Sequence, residues 1–398
     1  MVLLRHPTAV LALISSLLLS PAVQAASLES VLADQANLTM FRGLVKKHAE
    51  LFAELPKNIT VAAPNDFAFD KQADWSSYDK NTIQATLKYH ILKGTIDMPS
   101  IVKGDSIWAA TTLTDRNYST VTGGQHLILT KQPGGEVVLT SGFATRGTVV
   151  VEDLQFDSGL VQIIDSVMHV PETLESTARN AYKDLAAFVG ALYATDLYDE
   201  VAGWEDVTIF VPRNAAFQQL AGTFAAMDRQ DLRRVLRYHV VPGRLSHVWE
   251  LRNASALASA DGGTEVAITR QANSIFVNSA EIIQPDILLA NGVAHLIDNV
   301  LDPGQPDARP DFSLTTQQPP VFTPLGTATA TGANVPTPFV SNLPCTPSCV
   351  GGTRATAAPT GSGGADSSNA GGALPRCTGL AGAGLGIGLV VGAIMAGF

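Results

Sequence analysis

The amino-acid sequence predicts an α+β protein: two similar domains in tandem, each joining helices to antiparallel strands, followed by a disordered stalk. Three observations predict it. A set of three sequence boxes occurs twice in the same order, each copy runs from helical into alternating periodicity, and the composition changes after Asp302. The 398 residues leave room for two domains of roughly 130–145 residues each.

The three boxes pair off along the chain: Ile59–Phe69 with Val207–Phe217, Leu87–Gly94 with Leu236–Gly243, and Gly159–Val167 with Gly292–Val300. In the first box a β-branched run reaches a proline, which predicts a buried strand that ends there and passes into a helix. Asp66 and Asn214 follow the prolines and are expected to be the N-caps of those helices. The repeated order indicates an internal duplication.

This set of boxes resembles the fasciclin domain, with its TVFAPTNxAF box, its Tyr-His box and its closing NGVIHxIDxVL box. The second copy is similar in three places: Thr208–Phe217, Tyr238-His239 and Asn291–Leu301. In the first copy Ala62 replaces the usual Phe and Gln162 the usual His. The resemblance covers residues 27 to 303. It implies two tandem fasciclin-like domains, 27–172 and 173–303, each combining mixed helices with an antiparallel β wedge or sandwich.

Periodicity within each copy predicts the elements in detail. The first copy has an apolar helical stripe over 38–55, with His48 as a core residue, and then a helix over 82–92 and strands over 126–130, 136–140 and 148–151. The second copy has a stripe over 185–192, a helix over 228–238 and strands over 207–211, 265–270, 274–278, 287–289 and 294–297. The short join at 171–176 indicates that the two domains contact each other.

Residues 1–26 are predicted to form a secretory signal peptide. Arg5 supplies the positive end, Val10–Leu19 the apolar run, and Val23–Ala25 a small-residue cleavage site, with cleavage after Ala25 or Ala26. The alternative is a membrane anchor, but the apolar run is short for a bilayer about 30 Å thick.

Residues 304–376 are rich in Pro, Thr, Ser, Gly and Ala, and are predicted to be a disordered, O-glycosylated stalk. Such a segment has too few large apolar side chains to offset the entropy of ordering it. Cys345 and Cys349 lie within it, and a local disulfide is favoured over a metal site because four ligands are not available.

The tail, 377–398, ends in an apolar stretch without a following basic residue. Small residues, a short spacer and a terminal apolar run are typical of a glycosylphosphatidylinositol (GPI) anchor signal. Asn369 is the expected attachment site, with Ser368 or Gly371 next. The alternative is a retained single-pass helix.

Four N-glycosylation sequons lie in the two copies, at Asn37, Asn58, Asn117 and Asn253. Secretion would make each a candidate surface glycan. Asn58 directly precedes a predicted core strand and is the least secure of the four.

Catalytic, metal-binding and cofactor-binding roles are not indicated. His239, His295 and Asp298 suggest a hydrolase triad, but no G-x-S-x-G elbow accompanies them and Gln162 replaces the histidine in the first copy. The sequence has neither the histidine spacings typical of metal sites nor a phosphate-binding loop. We therefore expect neither an enzyme nor a bound cofactor. The formal net charge of −10, with 16% charged residues, disfavours nucleic acid as a partner.

The candidate partner-binding residues come from two sources. The resemblance implies receptor binding around the Tyr-His boxes, that is, by Tyr89, His90, Tyr238 and His239. Arg233 and Arg237 lie on one stripe of the predicted helix beside the second box and could dock acidic glycans or a protein, although a solvated helix face is the default.

These observations together predict a non-enzymatic cell-surface protein. Two binding modules on a tether gain avidity, and the resemblance adds adhesion to cell-surface or matrix proteins and glycans. Location at the extracellular face of the plasma membrane or in the cell wall is expected. Two alternatives stay open: a vacuolar or endomembrane protein acting in membrane fusion or autophagy, and a carrier that holds a small apolar ligand.

Overall fold

A computed structural model describes residues 26–53, 55–72, 74–314, 316–325, 331–332 and 335–344. Almost the whole predicted signal peptide, Cys345, Cys349, Asn369 and the apolar tail lie outside the described residues. Within them, none of the helices combines the length and the apolar character needed to cross a bilayer.

The first domain places short helices before and between the strands of one mixed sheet. Its helices are α1 Leu28–Ala33, α2 Thr39–Lys47, α3 Asp66–Lys71 and α4 Lys80–Tyr89. Its strands are β1 Ile59–Pro64, β2 Ile91–Lys93, β3 Ser106–Ala110, β4 His126–Lys131, β5 Val137–Thr140, β6 Arg146–Phe156 and β7 Gly159–Ile164. The apolar stripe predicted over 38–55 is not one helix, because α2 ends before His48 and a separate 3₁₀ turn follows.

The second domain repeats this architecture, with two further short helices. Its helices are α5 Leu174–Asn180, α6 Ala186–Ala194, α7 Tyr198–Gly203, α8 Asn214–Gln219, α9 Ala221–Ala226 and α10 Arg229–Tyr238. Its strands are β8 Val207–Pro212, β9 Val240–Val241, β10 Ala256–Ala258, β11 Glu265–Gln271, β12 Ser274–Val277, β13 Ala280–Leu289 and β14 Gly292–Ile297.

The two sheets have the same strand order, which confirms the α+β fold and the duplication. The order is β2-β1-β7-β6-β5-β4-β3 in the first domain and, in the reverse direction, β10-β11-β12-β13-β14-β8-β9 in the second. All pairs are antiparallel except β1 with β7 and β8 with β14, where the first and closing boxes lie side by side in parallel. A Cβ atom on Gly159 or Gly292 would overlap the neighbouring strand's backbone, so each closing box begins with glycine.

Each box strand separates two apolar clusters. In β1, Val61 and Ala63 face the helices, whereas Ala62 faces a second cluster between the sheet and α4. Phe210 occupies the position of Ala62 in the second domain. The smaller Ala62 shares its cluster with the fully buried Met98 and Met168, whose flexible side chains suit a gap of this kind.

The box residues Asp66 and Asn214 cap a neighbouring helix rather than their own. Asp66 Oδ1 accepts a hydrogen bond of 2.8 Å from the backbone N–H of Met40, at the start of α2. Asn214 Oδ1 accepts one of 2.9 Å from Ala187 N–H, at the start of α6. The predicted N-cap assignment was therefore wrong by one position: Asn65 caps α3, and Arg213 precedes α8.

The stalk does not begin at residue 304. We call the described residues between 304 and 344 the C-terminal strap, because they pack on the second domain. Gln218 Nε2 donates hydrogen bonds to the carbonyl oxygens of Gly332 and Val335, at 3.1 and 2.9 Å. The Phe339 ring packs edge-on against Phe217 and Phe224, at centroid distances of 6.1 and 5.8 Å.

The strap contradicts the prediction of disorder for this part of the chain. Composition alone suggested too few apolar side chains, but Phe322, Phe339 and Leu343 are spaced so that each reaches the second domain's core. Asn299 Nδ2 also donates to the Gln318 carbonyl at 2.8 Å. A few aromatic anchors and side-chain donors therefore order a segment that is otherwise poor in apolar residues.

Candidate functional site

The Tyr-His pairs, predicted as partner-binding residues, lie inside the protein. Tyr89, Tyr238 and His239 are fully buried, and His90 is 1% exposed. None of these four side chains can therefore contact a partner while its domain is folded, which corrects their assignment as a binding surface.

Each box histidine joins the end of its helix to the closing box. His90 Nδ1 lies 2.7 Å from the Thr86 carbonyl, and Nε2 accepts a 3.0 Å hydrogen bond from Met168 N–H. The ring is therefore neutral, with its proton on Nδ1. Burial lowers the pKa of His90 to about 4.

His239 repeats this arrangement in the second domain. Nδ1 lies 2.8 Å from the Val235 carbonyl, and Nε2 accepts a 2.9 Å hydrogen bond from Leu301 N–H. Burial lowers its pKa to about 4 as well. The histidine of the Tyr-His box is thus a structural brace in both copies.

The tyrosines brace the other side of the same helices. Tyr89 OH donates to the His126 carbonyl at 2.8 Å, and Tyr238 OH donates to the Glu265 carbonyl at 2.9 Å. Asn278 Nδ2 donates to the Tyr238 oxygen at 2.9 Å. Each Tyr-His pair therefore fixes one helix between two parts of its sheet.

The closing-box histidine also serves the backbone. His295 Nδ1 accepts a hydrogen bond from Asp286 N–H at 3.2 Å, and Nε2 lies 2.9 Å from the Ser246 carbonyl, to which it donates. Burial lowers the pKa of His295 to about 4, so the ring is neutral. Burial also raises the pKa of the adjacent Asp286 carboxyl to about 7.

Gln162 forms the same two bonds in the first domain. Its Oε1 accepts from Asp153 N–H at 2.8 Å, and its Nε2 donates to the Ile96 carbonyl at 3.1 Å. An amide can thus replace the imidazole without loss of a contact. This equivalence supports a structural role for His295 and argues against a catalytic one.

The closing-box aspartates hold the bulged strands. Asp165 Oδ1 accepts from Thr148 N–H at 2.7 Å, and Asp298 Oδ1 accepts from Glu281 N–H at 2.8 Å. The sequence predicted that both carboxylates orient a turn; each instead binds the backbone of a neighbouring strand. Among the described residues, no cluster of three or more His, Cys, Asp or Glu side chains has the geometry of a metal site.

The arginine stripe of α10 lies on the surface, but its donors are occupied. Glu200 binds both guanidinium groups: Arg237 at 3.0 Å and Arg233 at 3.5 Å. Arg237 Nε also donates to the Ala260 carbonyl at 2.9 Å, and Arg233 donates to the Thr195 carbonyl. A partner would have to compete with these contacts, which favours the solvated-face interpretation.

The four sequon asparagines, Asn37, Asn58, Asn117 and Asn253, are all exposed. Asn58 adopts a left-handed backbone, with φ of 61°, in the turn before β1 and points away from the core. The burial expected from its position next to a strand therefore does not occur.

Contacts between the two domains bring together residues that no sequence box contains. We call these contacts the domain seam. Thr120 N–H donates to the Ala290 carbonyl at 2.9 Å, and Gln125 Nε2 donates to the Leu289 carbonyl at 3.0 Å. Thr122 N–H donates to Asp206 Oδ1 at 2.8 Å. The contact between the domains was predicted from their short join, but these residues carry no local sequence signal.

A second part of the seam is aromatic. The rings of Trp108 and His247 are stacked, with centroids 3.4 Å apart and planes inclined by 13°. His126 approaches the same imidazole edge-on, at 5.3 Å. An open cleft of about 350 Å³ lies elsewhere along the seam, with Asp74, Glu172 and other polar side chains in its lining.

Comparison with known proteins matches both halves of the described structure. The fasciclin domain family matches residues 22–171 and 183–303. A fasciclin-like arabinogalactan protein of Cercospora beticola is 30% identical over 291 residues, 70% of this chain and 77% of that protein. Another, of Arthroderma benhamiae, is 27% identical over 67% of this chain, which spans only 63% of that relative's length.

Among solved structures, a FAS1 domain pair from the insect cell adhesion molecule fasciclin I covers 67% of this chain and 97% of its own. Its sequence identity is 18% and its TM-score is 0.33.

Proposed function

Because the chain belongs to the fasciclin domain family, we propose that it is a non-enzymatic adhesion protein of the cell surface or cell wall. In this proposal its two fasciclin domains are displayed on a glycosylated stalk that is tethered to the membrane through a GPI anchor. The relatives described as fasciclin-like arabinogalactan proteins support the assignment to this class of surface protein.

One observation carries the non-enzymatic part. The polar side chains of the boxes form hydrogen bonds with the backbone. His295 of the second copy corresponds to Gln162 of the first, and the two side chains form equivalent bonds. A catalytic base would not tolerate that exchange, because an amide has no titratable nitrogen. The conspicuous residues are therefore explained by the fold.

Binding is then left to exposed surfaces of the two domains and to their glycans. The exposure of all four sequon asparagines supports modification at Asn37, Asn58, Asn117 and Asn253. Arg233 and Arg237 remain candidates for an acidic glycan or protein only if a partner can displace them from Glu200.

The strap changes how the tether would leave the domains. Its last described residue, Pro344, accepts a hydrogen bond from Arg179 of α5, the helix that follows the join between the domains. In the proposal the chain therefore leaves the second domain near this join and continues to the anchor on Asn369.

The experiment is treatment of intact cells with a phosphatidylinositol-specific phospholipase, following a tag placed after Ala26. We expect release of the tagged chain from the surface, and loss of cell–cell or cell–matrix adhesion with it. A chain ending at residue 376, which lacks the apolar tail, is the matched control and should be found in the medium without treatment.

Resistance to the phospholipase, with the tagged chain on internal membranes, would contradict the surface proposal. It would favour the alternative of a vacuolar protein with a retained tail. Release without any change in adhesion would keep the anchor and refute the adhesive role.

A further inference from the structure

We propose that the domain seam is a pH-sensitive joint: the Trp108–His247–His126 cluster holds the two domains together at neutral pH and lets them separate in an acidic environment. The proposal is independent of the adhesive role. It follows from the position of two histidines of different domains in one shared, largely buried contact.

The cluster spans the two domains. Trp108 and His126 lie on the neighbouring strands β3 and β4 of the first domain, and His247 follows β9 in the second. His247 is only 5% exposed, and the indole of Trp108 stacks directly on the face of its imidazole ring. A neutral imidazole stacks well on an indole, and its burial costs little when it carries no charge.

The cluster lacks groups that would stabilise a protonated ring. Trp108 Nε1, His126 Nδ1 and His247 Nδ1 have no hydrogen-bond partner among the described residues. A proton on His247 would add a charge beside two other imidazoles, those of His126 and His295. Burial and these two neighbours together lower the pKa of His247 to about 3.

The remaining charged groups around the cluster are few. Asp206 and Lys93 face His126 and oppose one another, while burial lowers the pKa of that histidine. In the second domain, Glu250 Oε2 accepts from the His247 backbone N–H at 3.0 Å, and Asp286 Oδ1 accepts from Val248 N–H at 2.9 Å. Both carboxylates are thus bound to the backbone of the loop rather than to the imidazole. Burial raises the pKa of Asp286 to about 7, so exposure of this carboxyl on opening would oppose the effect of His247 in acid.

Separation exposes the rings and restores their ordinary basicity. A histidine whose pKa is near 6.5 in the open state and about 3 in the closed state binds protons preferentially when the seam is open. The contribution of His247 to the closed form is therefore complete above about pH 6.5 and is lost progressively as the pH falls toward 3. For His247 alone, the ratio of open to closed forms rises by up to roughly 100-fold between about pH 7.5 and about pH 4.5.

The rest of the seam is not strong enough to make the cluster irrelevant. It includes a few backbone and side-chain hydrogen bonds, such as Thr120 N–H to the Ala290 carbonyl, and the exposed ion pair of Arg116 with Glu205. Exposed ion pairs and single hydrogen bonds contribute modestly in water. Protonation of the buried rings can therefore shift the equilibrium between the closed and open forms of the seam.

The test is amide hydrogen exchange of the full-length protein at about pH 7.5 and about pH 4.5, corrected for the intrinsic effect of pH on exchange. The reporters are the seam segments 115–125 and 285–291. We expect their protection to fall at least 10-fold at the lower pH, while β1 and β8 in the domain cores stay protected. An increase in the radius of gyration by small-angle X-ray scattering should accompany the loss.

Variants identify the responsible group. His247→Gln, which cannot be protonated, should keep the seam protected at the lower pH, and His126→Gln should show a smaller effect of the same sign. His169→Gln is the matched control, since this histidine lies just before the interdomain join and stacks on Phe143, away from the Trp108–His247–His126 cluster; it should behave as the wild type.

Two results would overturn the proposal. One is wild-type seam protection that does not change with pH, whatever the variants do. The other is a loss of protection at the lower pH that is the same in His126→Gln and His247→Gln as in the wild type. If His247→Gln does not fold, the wild-type profile and the His126→Gln variant still decide between these outcomes.

Discussion

The first long helix of each domain occupies the same place, but its outer face differs. In α2 the outer face carries Met40, Gly43, Lys46 and Lys47, all exposed. In α6 the sequence AAFVGALYA is apolar almost all round, and every residue is at least partly buried. A helix that is apolar on all sides must be covered on all sides, so the second domain needs an element that the first does not.

That element is the C-terminal strap. Gly43 has open space where its side chain would be, whereas a Cβ on Gly190 would overlap the Phe339 carbonyl of the strap. Two domains with one fold thus solve one burial problem differently: the first with charged side chains in water, the second with an added segment of chain. The difference teaches that the structural unit of the second copy includes the strap.

Removing the strap should have the largest effect. A chain ending at Pro303 loses the Phe339 contact and the hydrogen bonds of Gln218, and leaves the outer face of α6 in water. We expect the second domain to lose on the order of 5 kcal/mol in its free energy of unfolding, with aggregation at high concentration. Urea unfolding followed by tryptophan fluorescence measures it.

A chain ending at residue 344 is the control for that truncation and should be as stable as the full chain. The first domain should unfold at the same urea concentration in all three chains. Equal stability of the second domain with and without the strap would show that the strap rests on the surface without stabilising it.

The two equivalent glycines give a sharper comparison. Gly43→Ala removes a flexible residue from a helix interior with room for a methyl group, and should stabilise the first domain by about 0.5–1 kcal/mol. Gly190→Ala should destabilise the second domain by roughly 2 kcal/mol, because the strap backbone must move away. Denaturation of the two single variants measures both signs.

The glycine effect should depend on the strap. In a chain ending at Pro303 the methyl group of Gly190→Ala meets no strap, and its cost should disappear or change sign. A cost that persists there would mean that the crowding comes from the domain itself.

Sequence alone was sufficient for the fold class, the duplication and most elements, because these depend on local periodicity and on the proline that ends each box strand. It also indicated a structural role for Asp165 and Asp298, although each side chain binds a neighbouring strand rather than a turn. It assigned the strap to the stalk, because average composition does not reveal how well a few aromatic side chains such as Phe339 fit a distant groove. The uninterrupted apolar sequence of α6 was the available signal.

The roles of the candidate binding residues were harder to predict for a related reason. Tyr89-His90 and Tyr238-His239 attract attention in the sequence, but their polar atoms bind backbone groups far away in the chain, which no local pattern shows. Conversely, Trp108 and His247 look unremarkable in sequence and meet only when the two domains pack. Both the wrong assignment of the Tyr-His pairs and the missed contact of Trp108 with His247 arose because these residues contact segments that are distant in the sequence.

The smallest expected change in stability at neutral pH concerns the closing box, in which the second domain has His295 where the first has Gln162. His295→Gln should preserve the bonds to Asp286 N–H and the Ser246 carbonyl, as Gln162 does in the first domain, and cost less than about 1 kcal/mol at pH 7. His295→Ala, which leaves both groups unpaired and opens a cavity, should cost about 3 kcal/mol. Chemical denaturation of both variants at neutral pH separates these values.

Acid should then reverse the order of wild type and His295→Gln. Burial holds the pKa of His295 at about 4, below the ordinary value of 6.5, so its contribution to stability is complete above pH 6.5 and is lost as the pH falls toward 4. The wild type should lose about 2 kcal/mol more than the variant between pH 7 and pH 5. Asp286, with its pKa raised to about 7, gains stability over the same range, but it is present in both chains and largely cancels in the difference. If the stability of the two chains changes with pH in parallel, protonation of the buried His295 does not destabilise the second domain, and histidine and glutamine are equivalent at this position of the closing box.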